Sequence, residues 1–72
     1  MQIESLKVFC DLAETESFTK AAQINGVTQS AVSRQIRALE ESLGVPLFER
    51  HIRALSLTNE GRRLQRAAEE VL

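Results

Sequence analysis

Residues 17–39, SFTKAAQINGVTQSAVSRQIRAL, constrain the fold more than any other stretch of this 72-residue chain. They read as two short amphipathic helices joined by a glycine turn. Ser17 is a good N-cap, and residues 18–24 form a short helix behind it. Ala21 and Ala22 are small enough to let a neighbouring helix approach closely. Asn25 and Gly26 make the turn, because glycine takes a positive φ without steric cost. Val27 is then placed to plug the angle between the helices. Thr28 caps the next helix, which runs to about Leu43 with Val32, Ile36, Leu39 and Leu43 as its core stripe. Gly44 suits the position that closes it. Ser30, Ser33, Arg34 and Arg37 lie on the opposite side, and Gln29 sits in the first turn, nearer the seam.

Charge is distributed unevenly around this segment. The chain has a net charge of −1, too little positive charge for an indiscriminate nucleic-acid binder. Residues 1–16 hold one lysine against four carboxylates, and residues 40–72 hold five arginines against six. Residues 17–39 carry Lys20, Arg34 and Arg37 and no acid at all. A cationic helix–turn–helix in a slightly acidic chain implies a surface made to lie against something negative, with DNA the leading partner.

The flanks complete a small domain. Ile3, Leu6, Phe9, Cys10 and Ala13 recur at three- and four-residue steps, so residues 2–14 read as a first helix with those side chains on one face. Pro46 makes Val45 extended. Residues 47–49 and 55–57 are short apolar-rich runs separated by 50–54, read as a β-hairpin with Phe48 in the core. Thr58 caps a last helix, where Glu60 in the first turn suits the helix dipole. That helix spaces Gly61, Leu64, Ala68 and Val71 at three, four and three residues, a heptad-like seam. The favoured reading is a dimer seam, with Gly61 allowing close backbone approach. The competing reading is packing on the first helix.

Other chemistries find little support. Cys10 is the only cysteine and His51 the only histidine, so there is no disulfide framework, metal cluster or catalytic pair, and no cofactor is expected. No phosphate-binding glycine loop or nucleophile elbow is present. No apolar run approaches the roughly 20 residues of a membrane span. The lone cysteine fits a reducing cytoplasm as the expected location. Glu40-Glu41 and Glu69-Glu70 read as solubilising charge, Cys10 as a small core residue and His51 as a solvent-exposed loop residue.

A major groove admits one helix, so a helix–turn–helix must project one helix while the other braces it. Ala22, Gly26 and Val32 supply the small, flexible and branched residues this asks for. The sequence then resembles the N-terminal winged helix–turn–helix domain of LysR-type transcriptional regulators. The matching stretches are LKVF at 6–9, SFTKAA at 17–22, QSAVSRQI at 29–36, LE at 39–40, LGVPLFER at 43–50 and LTNEG at 57–61. Two positions depart from the family pattern: Ser30 stands where proline is frequent, and the tip His51-Ile52-Arg53-Ala54 has no glycine.

The resemblance implies a mainly α fold, with a three-helix core, a two-stranded wing and a C-terminal linker helix. Residues 1–58 would be the DNA-binding domain, with the helix–turn–helix at about 18–37 and the wing at about 47–57. Residues 59–72 would begin the linker helix of a homodimer. The effector-binding domain of the family, through which a small molecule would act and higher oligomers would form, is absent from these residues. The third helix would read the major groove and the wing would meet the minor groove.

Chemistry then distributes the roles. Gln29 suits bidentate pairing with adenine, and Ser30 and Ser33 offer hydroxyls to bases or phosphates. Arg34 would read guanine or clamp phosphate, and Arg37 would hold phosphate. Lys20 and the N–H groups near Thr19 would hold phosphate at a helix N-terminus, with Thr28 at the start of the reading helix. Arg50 is read as a phosphate contact, the alternative being an ion pair with Glu49 or a helix carboxylate. Arg53 is the expected wing-tip residue in the minor groove. A module that binds another protein, or a purely structural domain, is the alternative to DNA binding.

Overall fold

The computed structural model describes residues 2–52 and 54–72. Its order is α1 (Ile3–Thr15), α2 (Phe18–Asn25), α3 (Gln29–Leu43), β1 (Phe48–His51), β2 (Ala54–Leu57) and α4 (Asn59–Val71). This is the expected winged helix–turn–helix: a three-helix core, a two-stranded antiparallel hairpin and a final helix.

Local chemistry accounts for the helix ends. The hydroxyls of Ser17, Thr28 and Thr58 accept from the N–H groups of Lys20, Ala31 and Gly61, satisfying one orphan donor at each helix start. Gly26 and Gly44 close α2 and α3 at φ 65° and 73°. The Val27 N–H then donates to Ala22 O at 3.0 Å, which turns the chain from α2 into α3. Glu16 ends α1 at φ 53°, a left-handed position that glycine would hold more easily.

The core joins all three helices to the hairpin. Val8, Phe9 and Leu12 of α1 meet Ala21, Ala22, Val32, Ile36 and Leu39, and Leu47, Phe48 and Leu55 close the cluster. The Phe9 and Phe48 rings pack tilted at 59° with centroids 5.5 Å apart.

Three expected core positions are corrected. Ile3 is 67% exposed, because it lies on the side of α1 away from Val8 and Leu12, which turn into the core. Val8 and Leu12 take its place, and Cys10 and Ala13 are half-buried on the flank toward α4. Val27 is 37% exposed and does not plug the interhelical angle, since the buried alanines of α2 already bring the helices together. Leu43 is 40% exposed at the end of its stripe, where α3 turns outward at Gly44.

The hairpin is tighter than its apolar runs indicate. Phe48 pairs with Leu57, Glu49 with Ser56, Arg50 with Leu55 and His51 with Ala54. Arg50, His51 and Ala54 are therefore strand residues. Backbone pairing decides this, and it is indifferent to the polarity of Arg50 and His51.

α4 runs antiparallel along α1: Ala13 lies beside Arg62 and Gln65, while Glu69 reaches the neighbourhood of Cys10. The seam expected on α4 is largely covered within the subunit. Ala68 is buried and Leu64 packs on the core. A Cβ on Gly61 would run into Leu47 O and come within 2.9 Å of Leu57 Cδ2. Gly61 therefore serves close approach to the chain's own hairpin. Val71, 69% exposed, is the one seam residue left bare.

Candidate nucleic-acid interface

The outer face of α3 is set by helical periodicity. Val32, Ile36 and Leu39 turn into the core, so Ser30, Arg34 and Arg37 emerge on the exposed side, with Gln29 exposed at the helix start. Ser33 is half-buried between them. Thr28 is exposed, and its hydroxyl is already engaged by the Ala31 N–H at 3.0 Å. Lys20 is exposed on α2, where its backbone N–H is held by the Ser17 hydroxyl at 3.1 Å.

Three elements converge at one open cleft. It is lined by Phe18 from α2, Gln29, Ser30 and Ser33 from α3, and Arg50 from β1. Four residues expected at the site from sequence thus meet in space, although Arg50 lies far along the chain from the other three. Arg34 and Arg37 continue the same face of α3 beyond the cleft. Arg53, expected at the wing tip, lies outside the described residues.

Three carboxylates are engaged away from this face. Asp11 Oδ2 accepts from Lys7 Nζ and from Asn25 Nδ2, both at 2.9 Å, and Lys7 also donates to Asn25 Oδ1 at 3.1 Å. This polar knot fastens α1 to the turn of the helix–turn–helix. Glu49 lies 3.6 Å from His51 Nε2 on the outer face of the hairpin. Among the described residues, no carboxylate lies within ion-pair reach of Arg34, Arg37, Arg50 or Lys20. The ion pair considered for Arg50 is not formed with Glu49. Neighbouring strand residues point to opposite faces, and Arg50 turns inward while Glu49 turns out.

Glu40 is not simply solubilising charge. Its Oε2 accepts from the backbone N–H of Leu47 at 2.7 Å and of Phe48 at 3.4 Å, tying the end of α3 to the start of the wing. The Thr58 hydroxyl donates to Pro46 O at 2.7 Å, and the Thr58 N–H to Leu47 O at 3.0 Å, locking the other side of the hairpin base. Sequence reasoning missed Phe18, Glu40 and the Lys7–Asp11–Asn25 knot as parts of the site's support. Helical position alone shows Glu40 near the core edge, a signal that a buried partner was needed.

Burial pushes the Cys10 thiol up, with the carboxylates of Asp11, Glu69 and Glu14 adding to the effect, so it stays a neutral thiol on the flank away from the cleft. Among the described residues, no cluster of histidine, cysteine and carboxylates is placed to hold a metal, and no helix is long and apolar enough to cross a membrane.

The pattern of the lysR family of bacterial regulatory helix–turn–helix proteins matches residues 3–62. The chain belongs to the LysR family. It is 44% identical over 71 residues to YbhD, an HTH-type transcriptional regulator of Escherichia coli K12, covering 99% of this chain and 22% of that one. It is 43% identical over 72 residues to IlvY of the same organism, covering all of this chain and 24% of IlvY. The chain thus spans about a quarter of the length of these relatives. Among solved structures, the BenM DNA-binding domain with benA site 1 DNA superposes with a TM-score of 0.93 at 39% identity, covering 99% of this chain and 80% of that one. The CbnR DNA-binding domain in complex with DNA gives 0.92 at 37% identity, covering 99% and 82%.

Proposed function

We propose that this LysR-family chain binds double-stranded DNA in a sequence-specific way to regulate bacterial transcription. In this reading the first turns of α3 enter the major groove, the wing lies at the minor groove, and two subunits act together on paired half-sites. The observation that carries it is the outer face of α3. Arg34 and Arg37 stand exposed there with no carboxylate within 4 Å among the described residues, while Asp11, Glu40 and Glu49 engage other partners. The similarity to two domains solved with DNA supports the same reading.

The roles follow from position. Gln29, Ser30, Ser33 and Arg34 form the reading edge. Lys20, Thr28, Arg37 and Arg50 would position the backbone, and Arg53 would meet the minor groove. Dimerisation would use α4, with exposed Val71 and whatever follows it, because Gly61, Leu64 and Ala68 are already packed within the subunit. Residues 1–58 would act as the DNA-binding unit and 59–72 as the start of the linker helix. A small-molecule effector would act through the part of the protein that matches the remainder of its relatives.

The test is Arg34→Ala, with binding measured by anisotropy on a duplex selected from a random pool by the unaltered protein and on an unselected one. Loss of a base contact weakens the selected duplex by about 1–3 kcal/mol and the unselected one much less. Equal losses would make Arg34 a phosphate clamp. Absence of any selected sequence, together with binding insensitive to salt, would sink the DNA reading.

A further inference from the structure

We propose that Phe18 is a positioning residue for DNA binding: its ring is a shelf that presets the Arg50 guanidinium beside the reading edge of α3, coupling the wing to the recognition helix. The inference rests on the DNA reading above.

The geometry has three parts. First, strand parity sends Arg50 to the inner face of the hairpin. Phe48 and Leu55 share that face and are buried, because residues two apart, and residues directly paired across an antiparallel ladder, point the same way. An arginine on a core-facing row must escape the core, and here it emerges at the edge of the apolar cluster. Second, Phe18 occupies that edge. It is half-buried, packs on the core and begins α2, directly after the Ser17 cap. The Arg50 Cζ sits 5.3 Å from the centroid of its ring. Third, Phe18 and Arg50 line the same cleft as Gln29, Ser30 and Ser33.

This arrangement suits phosphate capture. A guanidinium attracted to a ring face through the cation–π contact still keeps N–H groups free to bond elsewhere. No side-chain hydrogen bond or ion pair to another described residue engages Arg50, so those donors are available to a phosphate oxygen. A long arginine side chain that is already held loses less rotamer freedom on contact. The ring also sits on α2 while Arg50 sits on the wing, so the contact adds a tie between the wing and the helix–turn–helix to those made by Glu40, Thr58 and Gly61.

The proposal is tested by a double-mutant cycle with Phe18→Leu, Phe18→Tyr and Arg50→Ala on the selected and unselected duplexes. Phe18→Leu keeps apolar volume and removes the π face, and it should weaken binding by about two- to fivefold, the range of an exposed cation–π contact. Arg50→Ala should weaken binding further and lower the salt slope by about one unit, as expected for one phosphate contact. Once Arg50 is alanine, Phe18→Leu should add nothing; with Arg50 intact, Phe18→Tyr keeps the π face and should retain most of the affinity. Thermal melting of each variant separates lost folding from lost positioning.

In the free protein, ring current from Phe18 should shift the Arg50 δ-methylene protons upfield, a readout independent of DNA and of any variant's folding. Additive losses in the cycle, or unshifted Arg50 protons, overturn the proposal while leaving the DNA reading standing. Arg50→Ala without effect on either duplex, while Arg34→Ala weakens binding, also overturns it. Failure of both arginine variants would overturn the DNA reading and this inference with it.

Discussion

The helix–turn–helix and the wing line the same cleft, yet they are built in opposite ways. α2, the turn and α3 are organised by residues within a few positions of one another: Ser17 caps, Gly26 turns, Thr28 caps again, and Ala22 O receives the Val27 N–H. The wing has two strands of four residues each, too little to stand alone in water. It is held from outside, by Glu40 at the end of α3, by Thr58 and Gly61 at the start of α4, and by Phe18 beneath Arg50. The difference teaches that the outer face of α3 is a local property of the chain, whereas the wing's position is a property of the whole domain.

Three substitutions sharpen or break that contrast. The largest effect is expected from Gly61→Val. A side chain there meets Leu47 O, which is fixed by the Thr58 N–H, and Leu57 Cδ2 at 2.9 Å, so the hairpin or α4 must move. We expect a loss of about 3 kcal/mol in denaturant unfolding, as for a strongly overpacked site. A loss below a tenth of that would show that the wing base is not tightly held.

Glu40→Ala comes next. It leaves the Leu47 and Phe48 N–H groups without their carboxylate, for a loss of about 2 kcal/mol. Hydrogen exchange should quicken at those two amides and in β1, with α2 and the first turns of α3 unchanged. Equal acceleration across α2 and α3 would contradict the separation drawn between the two regions.

The smallest effect is Gly26→Ala. Nothing stands within 4 Å of a Cβ there, so the cost is only that of a left-handed dihedral, about 1 kcal/mol. Its effect should fall on the turn between α2 and α3 and leave the wing's amide shifts in place. A wing that loosens with Gly26→Ala would mean that both regions unfold as one unit.

The contrast also explains what was legible. Caps at Ser17, Thr28 and Thr58, the glycine turn and the α3 stripe through Val32, Ile36 and Leu39 were readable because each depends on neighbours three or four residues away. α1 was readable as a helix but not in its facing. It is apolar on a wide arc, and only the positions of α2, α3 and α4 decide that Val8 and Leu12 are buried while Ile3 is bare. The hairpin is legible in its apolar runs, but its strands extend beyond them. Arg50 and His51 look like a polar loop until backbone pairing claims them. On α4, the row from Gly61 to Val71 showed that something must cover it, and periodicity alone does not say what. The chain's own hairpin and α1 cover most of it, leaving Val71.

By itself, then, the sequence determined the helices and their ends, the turn between α2 and α3, and the acid-free stretch 17–39 that carries Lys20, Arg34 and Arg37. These follow from dihedral preference, capping and periodicity, which act over one or two turns of chain. Tertiary structure alone decided that Arg50 turns inward onto Phe18, that Glu40 serves the wing, and that Gly61 is a point of contact with Leu47. Those outcomes depend on strand parity and on close approach between elements that the chain separates, and both exist only once the domain has packed.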